Sequence, residues 1–178
     1  MLALPPQTHA VRLLRWVEGN VLAGVEVGGS RGLSVAHYRA VLCDVGQYLG
    51  RMNTVLDGVD HPGAHREHMW DVANTDGVRG FVRCITDDAR RALVVGVLDE
   101  FCARVKPRLA ELRHGLLQAD FNDANIVLAM GDRSVGGVID FGDMCKTETV
   151  NNLAVALAYA FFGRPDPLAV VSMMVSGY

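Results

Sequence analysis

The chain has 178 residues, half of them apolar, with 17 basic and 20 acidic side chains, a formal charge of −3 and a mean hydropathy of +0.19. That length suits one domain, or one lobe and part of another, and the charge excludes the basic footprint of a nucleic-acid binder and gives no argument for a membrane surface. The four cysteines, Cys43, Cys84, Cys102 and Cys145, form no C-x-x-C pair, and no basic leader or long apolar run is present, so a reducing, cytoplasmic setting is the expectation.

Residues 1 to 9, with Pro5-Pro6, read as an irregular lead-in. Val11 to Val17 reads as a strand packed by Leu13, Leu14 and Trp16, with Glu18-Gly19-Asn20 as its exit turn. The glycine-rich stretch Gly28-Gly29-Ser30-Arg31-Gly32 matches neither the P-loop nor the strand-bounded G-x-G-x-x-G spacing, so a flexible connection is favoured over a phosphate cradle. Ser34 is a good N-cap, and Val35, Tyr38, Val41, Leu42, Val45, Leu49, Met52, Val55 and Leu56 recur at helical spacing until Gly58. Asp57 to Asn74 holds His61, His65 and His68. Their spacings suit a zinc site on one helical face, but Pro62-Gly63 breaks the period, so a solvated connector anchored by Trp70 is expected. Asp87 or Asp88 caps the next helix, with Leu93, Val94, Val97, Leu98, Phe101, Cys102 and Val105 as its buried stripe; Cys43 and Cys102 are core thiols. Pro107 interrupts that helix and starts a short turn through Leu112.

The stretch Leu116 to Gly142, LLQADFNDANIVLAMGDRSVGGVIDFG, carries the chemistry. Leu116-Leu117 enters a polar loop from Gln118 to Asn125. A β-branched run follows, Gly131-Asp132 turns the chain, and a second apolar run from Val135 to Ile139 delivers Asp140. Phosphoryl transfer needs positioning and charge neutralisation more than covalent chemistry. An Asp five residues before an Asn can face an acceptor hydroxyl while the Asn faces a metal, and Asp-Phe-Gly after a strand can hold Mg²⁺ between phosphates. A solvated hairpin explains D-x-x-x-x-N alone; the pair D-x-x-x-x-N plus D-F-G favours a phosphotransferase. Asp143 and Glu148 are acidic enough to meet a substrate ammonium, with a solvated loop as their simpler reading. Val150 to Phe162 reads as a buried helix ended by Gly163 and Pro165, and a second apolar segment starts at Pro167.

This core resembles the catalytic and metal loops of the aminoglycoside phosphotransferase and choline kinase superfamily, whose pattern is H-G-D-x-x-x-x-N followed by D-F/W-G/E. DFNDANIVL, VIDFGDM and TVNNLAVALAY are similar to the catalytic core of the hydroxylysine kinase family, and VRLLRWVEGN and HMWDVAN to its middle region. Gln118 stands where His is usual and Ala119 where Gly is usual; a Gln amide can replace one hydrogen bond of the His, and Ala narrows the allowed backbone.

The resemblance implies an α+β, protein-kinase-like large lobe, mostly helical with a small catalytic β-hairpin, the N-terminal lobe being largely absent. Residues 1–33 would be lead-in and hinge-like strand, and 34–178 a partial large lobe. Trp16, Val17 and Glu18 would form the hinge that meets the purine. Asp120 would be the catalytic base, and Asn125 and Asp140 would hold Mg²⁺. The implied reaction moves the γ-phosphoryl group of GTP, or of ATP, to the hydroxyl of 5-hydroxy-L-lysine. The phosphate-pairing Lys of such kinases has no counterpart before the hinge, since the only lysines are Lys106 and Lys146. Two other readings remain: a catalytically silent module that binds a partner through uncovered apolar faces, and a different small-molecule kinase of the superfamily, acting on choline or an aminoglycoside.

Overall fold

The computed structural model describes residues 13–27, 33–131 and 133–178. The Pro5-Pro6 lead-in, the start of the expected strand at Val11, the Gly28 to Gly32 stretch and Asp132 lie outside these residues. The fold is α+β. In chain order it runs β1 (Asn20–Val21), α1 (Val35–Leu56), α2 (Asp88–Glu100), β2 (His114–Leu117), β3 (Ile126–Leu128), β4 (Val135–Val138), β5 (Cys145–Glu148), α3 (Val150–Phe161) and α4 (Pro167–Gly177). Among the described residues the strands form two small sheets, β1-β3-β4 and β2-β5, with antiparallel pairing throughout. No helix of the described residues is long and apolar enough to cross a membrane.

Ser34 caps α1 by accepting the His37 amide, and Gly58 leaves it with φ +76°. Val41, Leu42, Val45 and Leu49 of α1 are fully buried, at the spacing of one helical face. They join Phe121, Ile126, Leu128 and Met174 in one core under the β3–β4 hairpin. Helix α4 crosses α1 almost backbone to backbone: a Cβ on Gly46 would lie 2.1 Å from the Met174 carbonyl oxygen, so no larger residue fits there.

The expected strand from Val11 to Val17 does not extend over residues 13–18. The pairing edge is β3, and it is used by Asn20 and Val21, opposite Leu128 and Val127. Earlier residues would need partners beyond Leu128, where the hairpin is already turning. Leu13, Leu14 and Trp16 are therefore exposed rather than packed. Gly19 makes the entry possible: it sits at φ +140°, and a Cβ there would lie 1.8 Å from the Leu128 carbonyl oxygen.

Three further expectations change. Trp70 is 67% exposed and anchors nothing; Ala64 is the buried residue of the connector. The chain then winds through 3₁₀ turns from Val72 to Cys84, kinked at Asn74. Asp87 caps α2 as expected, but only Leu98 of its stripe is buried, because α2 packs on these turns and on its own continuation and no described element covers Leu93 or Val97. Ahead of Pro107 the helix widens into one π turn, Phe101–Val105, since the proline ring clashes with the preceding turn and has no N–H to donate to it, and a 3₁₀ turn Lys106–Glu111 follows. The polar run before Thr149 is strand β5, paired with β2, and not a loop.

Candidate active site

Strand β2 is buried at Leu116 and Leu117 and carries the chain straight into Gln118, which has no solvent exposure. Its Nε2 donates to the carbonyls of Ile139 (3.2 Å) and Asp140 (2.6 Å), and its Oε1 accepts from the Asp120 amide at 3.0 Å. One amide side chain thus ties the loop of Asp120 to the loop of Asp140. It fills the scaffold place where the superfamily pattern has His, with three hydrogen bonds rather than one. Ala119 turns the chain at φ +67°, in the left-handed region, with its N–H held by Asn152 Oδ1 at 3.0 Å.

Asp120 is half-buried and held from both sides. Asn122 Nδ2 donates to its Oδ1 at 2.7 Å, and Asn125 Nδ2 donates to its Oδ2 at 2.7 Å and to its carbonyl at 2.9 Å. Asn122 Oδ1 in turn accepts the amides of Ala124 (2.9 Å) and Asn125 (3.2 Å), closing the loop as an Asx turn. Both hydrogen bonds of the Asn125 side chain use Nδ2, which keeps Oδ1 for a cation.

The hairpin brings Asp140 to the same place. Val138 pairs with Ile126, and the Ile139 amide donates to the Asn125 carbonyl at 2.9 Å, so Asp140 leaves β4 beside Asn125. Asp140 adopts φ +54°, a strained conformation that clusters at functional sites, and its Oδ1 accepts the Gly142 amide at 3.1 Å. Among the described residues the other carboxylate oxygen has no hydrogen bond. An amide oxygen and a carboxylate oxygen are the hard donors that Mg²⁺ takes when water and phosphate complete its shell. Among the described residues no group of three or more His, Cys, Asp or Glu could hold a metal ion, so the site has no closed protein cage. The three histidines go separate ways: His61 accepts the Gly63 amide, His65 meets Asp60 at 2.6 Å, and His68 lies 3.3 Å from Asp143.

The connector straps the Asp140 loop from outside. Arg66 donates through Nε to the Met144 carbonyl (3.2 Å) and through a terminal nitrogen to the Gly142 carbonyl (2.7 Å). Lys146 Nζ reaches Asp60 at 3.0 Å; with His65 it holds the Asp60 carboxyl below the usual carboxylate range. Asp71 accepts the Thr147 hydroxyl at 2.9 Å.

The remaining candidates divide. Asp143 is half-exposed beside His68. Glu148 is buried, which corrects the solvated-loop reading: Asn151 donates to its Oε2 at 2.9 Å, the Thr147 hydroxyl lies 2.8 Å from the same oxygen and shares its one proton between it and Asp71, and His114 lies 3.3 Å from its Oε1. Val17 packs over Gly137 of β4, three residues before Asp140, while Glu18 is exposed and Trp16 is 79% exposed. The sequence reading missed Asn122, Asn152 and Arg66. Asn122 was legible as a second Asn inside the D-x-x-x-x-N loop; nothing local marks Arg66, 76 residues from its nearer partner.

A family model described as the phosphotransferase enzyme family, APH, matches residues 5–178. The hydroxylysine kinase of Danio rerio is 27% identical over 179 residues, which cover 97% of this chain and 48% of that protein. That of Mus musculus is 24% identical over 183 residues, covering 97% and 46%. The chain spans about half the length of the curated relatives it matches. Among solved structures, the aminoglycoside phosphotransferase APH(3'')-Id of Streptomyces rimosus, in complex with ADP and streptomycin, superposes with a TM-score of 0.63 at 19% identity, over 91% of this chain and 61% of that one. At that identity the likeness is one of fold.

Proposed function

Because the chain belongs to the phosphotransferase enzyme family, APH, we propose that it moves the γ-phosphoryl group of GTP or ATP to the side-chain hydroxyl of 5-hydroxy-L-lysine. The described residues act as the large lobe of a kinase-like fold. The observation that carries this reading is the locked set at the hairpin: Asp120 fixed by Asn122 and Asn125, Asp140 beside Asn125, and Gln118 bridging the two loops. The acceptor follows the hydroxylysine kinase relatives, and the nucleotide choice follows the resemblance of the catalytic core.

Asp120 accepts or orients the proton of the attacking hydroxyl. Its two amide donors fix the carboxylate, so the hydroxyl meets a prearranged acceptor. Asn125 Oδ1 and Asp140 hold a divalent cation, which supplies charge neutralisation on the phosphates when bound. Trp16, Val17 and Glu18 border the purine. Asp143, on the exposed side of the loop, is better placed than buried Glu148 to meet a substrate ammonium.

Calorimetric titration of the chain with Mg²⁺–GTP and Mg²⁺–ATP, followed by turnover with hydroxylysine, tests the reading. Asp140→Asn is expected to lose nucleotide binding that depends on Mg²⁺, and Asp120→Asn to keep binding while turnover falls by about 10²–10⁴-fold. Unchanged turnover in Asp120→Asn removes Asp120 as the base.

A further inference from the structure

A cavity of about 50 Å³ lies beside the Asp120 loop, outside the Asp120–Asn125–Asp140 set. Tyr38, Asp123 and Arg164 give it polar walls, and buried Leu22, Ile126 and Met174 give it apolar ones. Gly163, at φ +68°, ends α3, and the Arg164 amide donates to the Phe161 carbonyl at 3.0 Å, which turns the arginine back onto α1. There its guanidinium lies over the Tyr38 ring, 4.6 Å from the centroid, and a terminal nitrogen donates to the Tyr38 hydroxyl at 3.1 Å. Its Nε is buried and makes no hydrogen bond. Arg79, Arg91, Arg104 and Arg108 each meet a carboxylate; among the described residues Arg164 meets none.

A buried cationic donor without an acceptor is costly, and native structures supply one from protein or from held water. The volume and the charges decide which. The cavity admits a few water molecules, at about 10–15 Å³ for each, and is too small for a phosphate. A chloride ion would suit the guanidinium but would face the Asp123 carboxylate. Water accepts from Nε and donates to that carboxylate, which has no hydrogen bond of its own among the described residues; only the Asp123 carbonyl is engaged, by the Ala23 amide at 3.0 Å. We infer that Arg164 positions the Asp120 loop by holding water against the Asp123 carboxylate. Asp123 stands inside the Asx turn in which Asn122 accepts the Ala124 and Asn125 amides and donates to Asp120. A bridge at Asp123 fixes the outer corner of that turn and, through Asn122, the Asp120 carboxylate. Arg164 is thus a positioning residue. Its effect on turnover rests on the phosphotransferase reading; its hold on the turn does not.

NMR and hydrogen exchange on the full chain read this hold without turnover. In the isotope-labelled wild-type chain the Arg164 Nε–H is expected to show a water NOE of the sign that marks held rather than surface water. Asp123→Ala is expected to abolish it while keeping the Tyr38 hydroxyl, which excludes relay through that group. Arg164→Met and Asp123→Ala each speed exchange of the Ala23 and Asn125 amides about tenfold, and the double variant adds little, while the Val45 and Leu49 amides of α1 exchange as in the wild type. Arg164→Lys, which still donates to water, restores most of the protection. No held-water signal at Nε, or exchange losses that simply add in the double variant, overturns the bridge and reduces Arg164 to packing on Tyr38. In turnover with Mg²⁺–nucleotide and hydroxylysine, Arg164→Met lowers kcat several-fold with the nucleotide KM unchanged; an unchanged kcat overturns the positioning of Asp120. A chain that shows the coupled exchange but no turnover sinks the phosphotransferase reading and keeps the bridge, whereas turnover without coupled exchange overturns the bridge alone.

Discussion

Ala119 sits at φ +67° where the superfamily pattern has Gly. The left-handed region costs an L-residue about 1–2 kcal/mol, and Gly gives back about 0.4–1 kcal/mol through the freedom of its unfolded chain. Ala119→Gly is therefore expected to stabilise the chain by about 0.5–1 kcal/mol, a rise in Tm of roughly 2–3 °C for a domain of this size. A thermal melt showing no rise would mean that the loop is not held in this turn. A second residue sets an alkaline limit. Burial, aided by the Asp71 charge, pushes the Cys145 thiol up from an ordinary 9.0 to about 11. The fold favours the neutral thiol, so its contribution is complete below the unfolded pKa. Between about pH 9 and 11 the unfolded chain has lost this proton and the folded chain has kept it, so stability falls as pH rises. Urea denaturation across that window is expected to show the decline in the wild-type chain and a shallower one in Cys145→Ala; equal slopes would show that other groups set the limit.

The hairpin β3–β4 and helix α1 were readable because each carries its own pattern: β-branched residues around a Gly turn, and an apolar face at helical spacing behind a Ser cap. Strand β5 was not. Its buried residues include Thr147 and Glu148, which look like loop residues until Asp71, His114 and Asn151 arrive from elsewhere to pair with them. The α2 stripe failed for the opposite reason: periodicity predicts a face, but burial needs a second element against it, and the described residues supply one only at Leu98. In the loop before β3, residue types singled out Asp120, Asn125 and Asp140, which the structure brings together, while the connector's hold on the loop is a tertiary fact. That hold is testable at Arg66. Its guanidinium fork spans two carbonyls that a single ammonium cannot reach in the same geometry. Arg66→Ala and Arg66→Lys are both expected to weaken the apparent Mg²⁺ affinity of the nucleotide complex several-fold, roughly as loss of supporting contacts around a metal ligand does, with little change in Tm because Arg66 is exposed. Titration of Mg²⁺ at fixed nucleotide checks this; full rescue by Lys would reduce Arg66 to a charge effect.

Across the whole molecule, the Asp120 loop is wired into the helices by a relay of amides. Asn152 in α3 accepts the Ala119 N–H at 3.0 Å and donates to Asn53 Oδ1 in α1 at 3.0 Å; Asn53 donates to the Tyr178 hydroxyl beyond α4 at 3.0 Å. The relay runs through the place where α4 closes on α1 over Gly46, so the turn before Asp120 is set by the same packing that assembles the core. Asn152 is wholly buried, and replacing it by Leu leaves the Ala119 donor and the Asn53 acceptor without partners. Each stranded buried group costs about 1–3 kcal/mol, so Asn152→Leu is expected to lower Tm by roughly 5–10 °C and to slow turnover through misplacement of Asp120. Asn53→Leu strands the Asn152 donor and the Tyr178 hydroxyl instead. If the relay acts as one unit, the double variant loses less than the sum of the two, with a coupling of about 0.5–3 kcal/mol. Additive losses, with turnover falling only in Asn152→Leu, would show that the loop is held by Asn152 alone and that the helices beneath it serve as a support without a connected network.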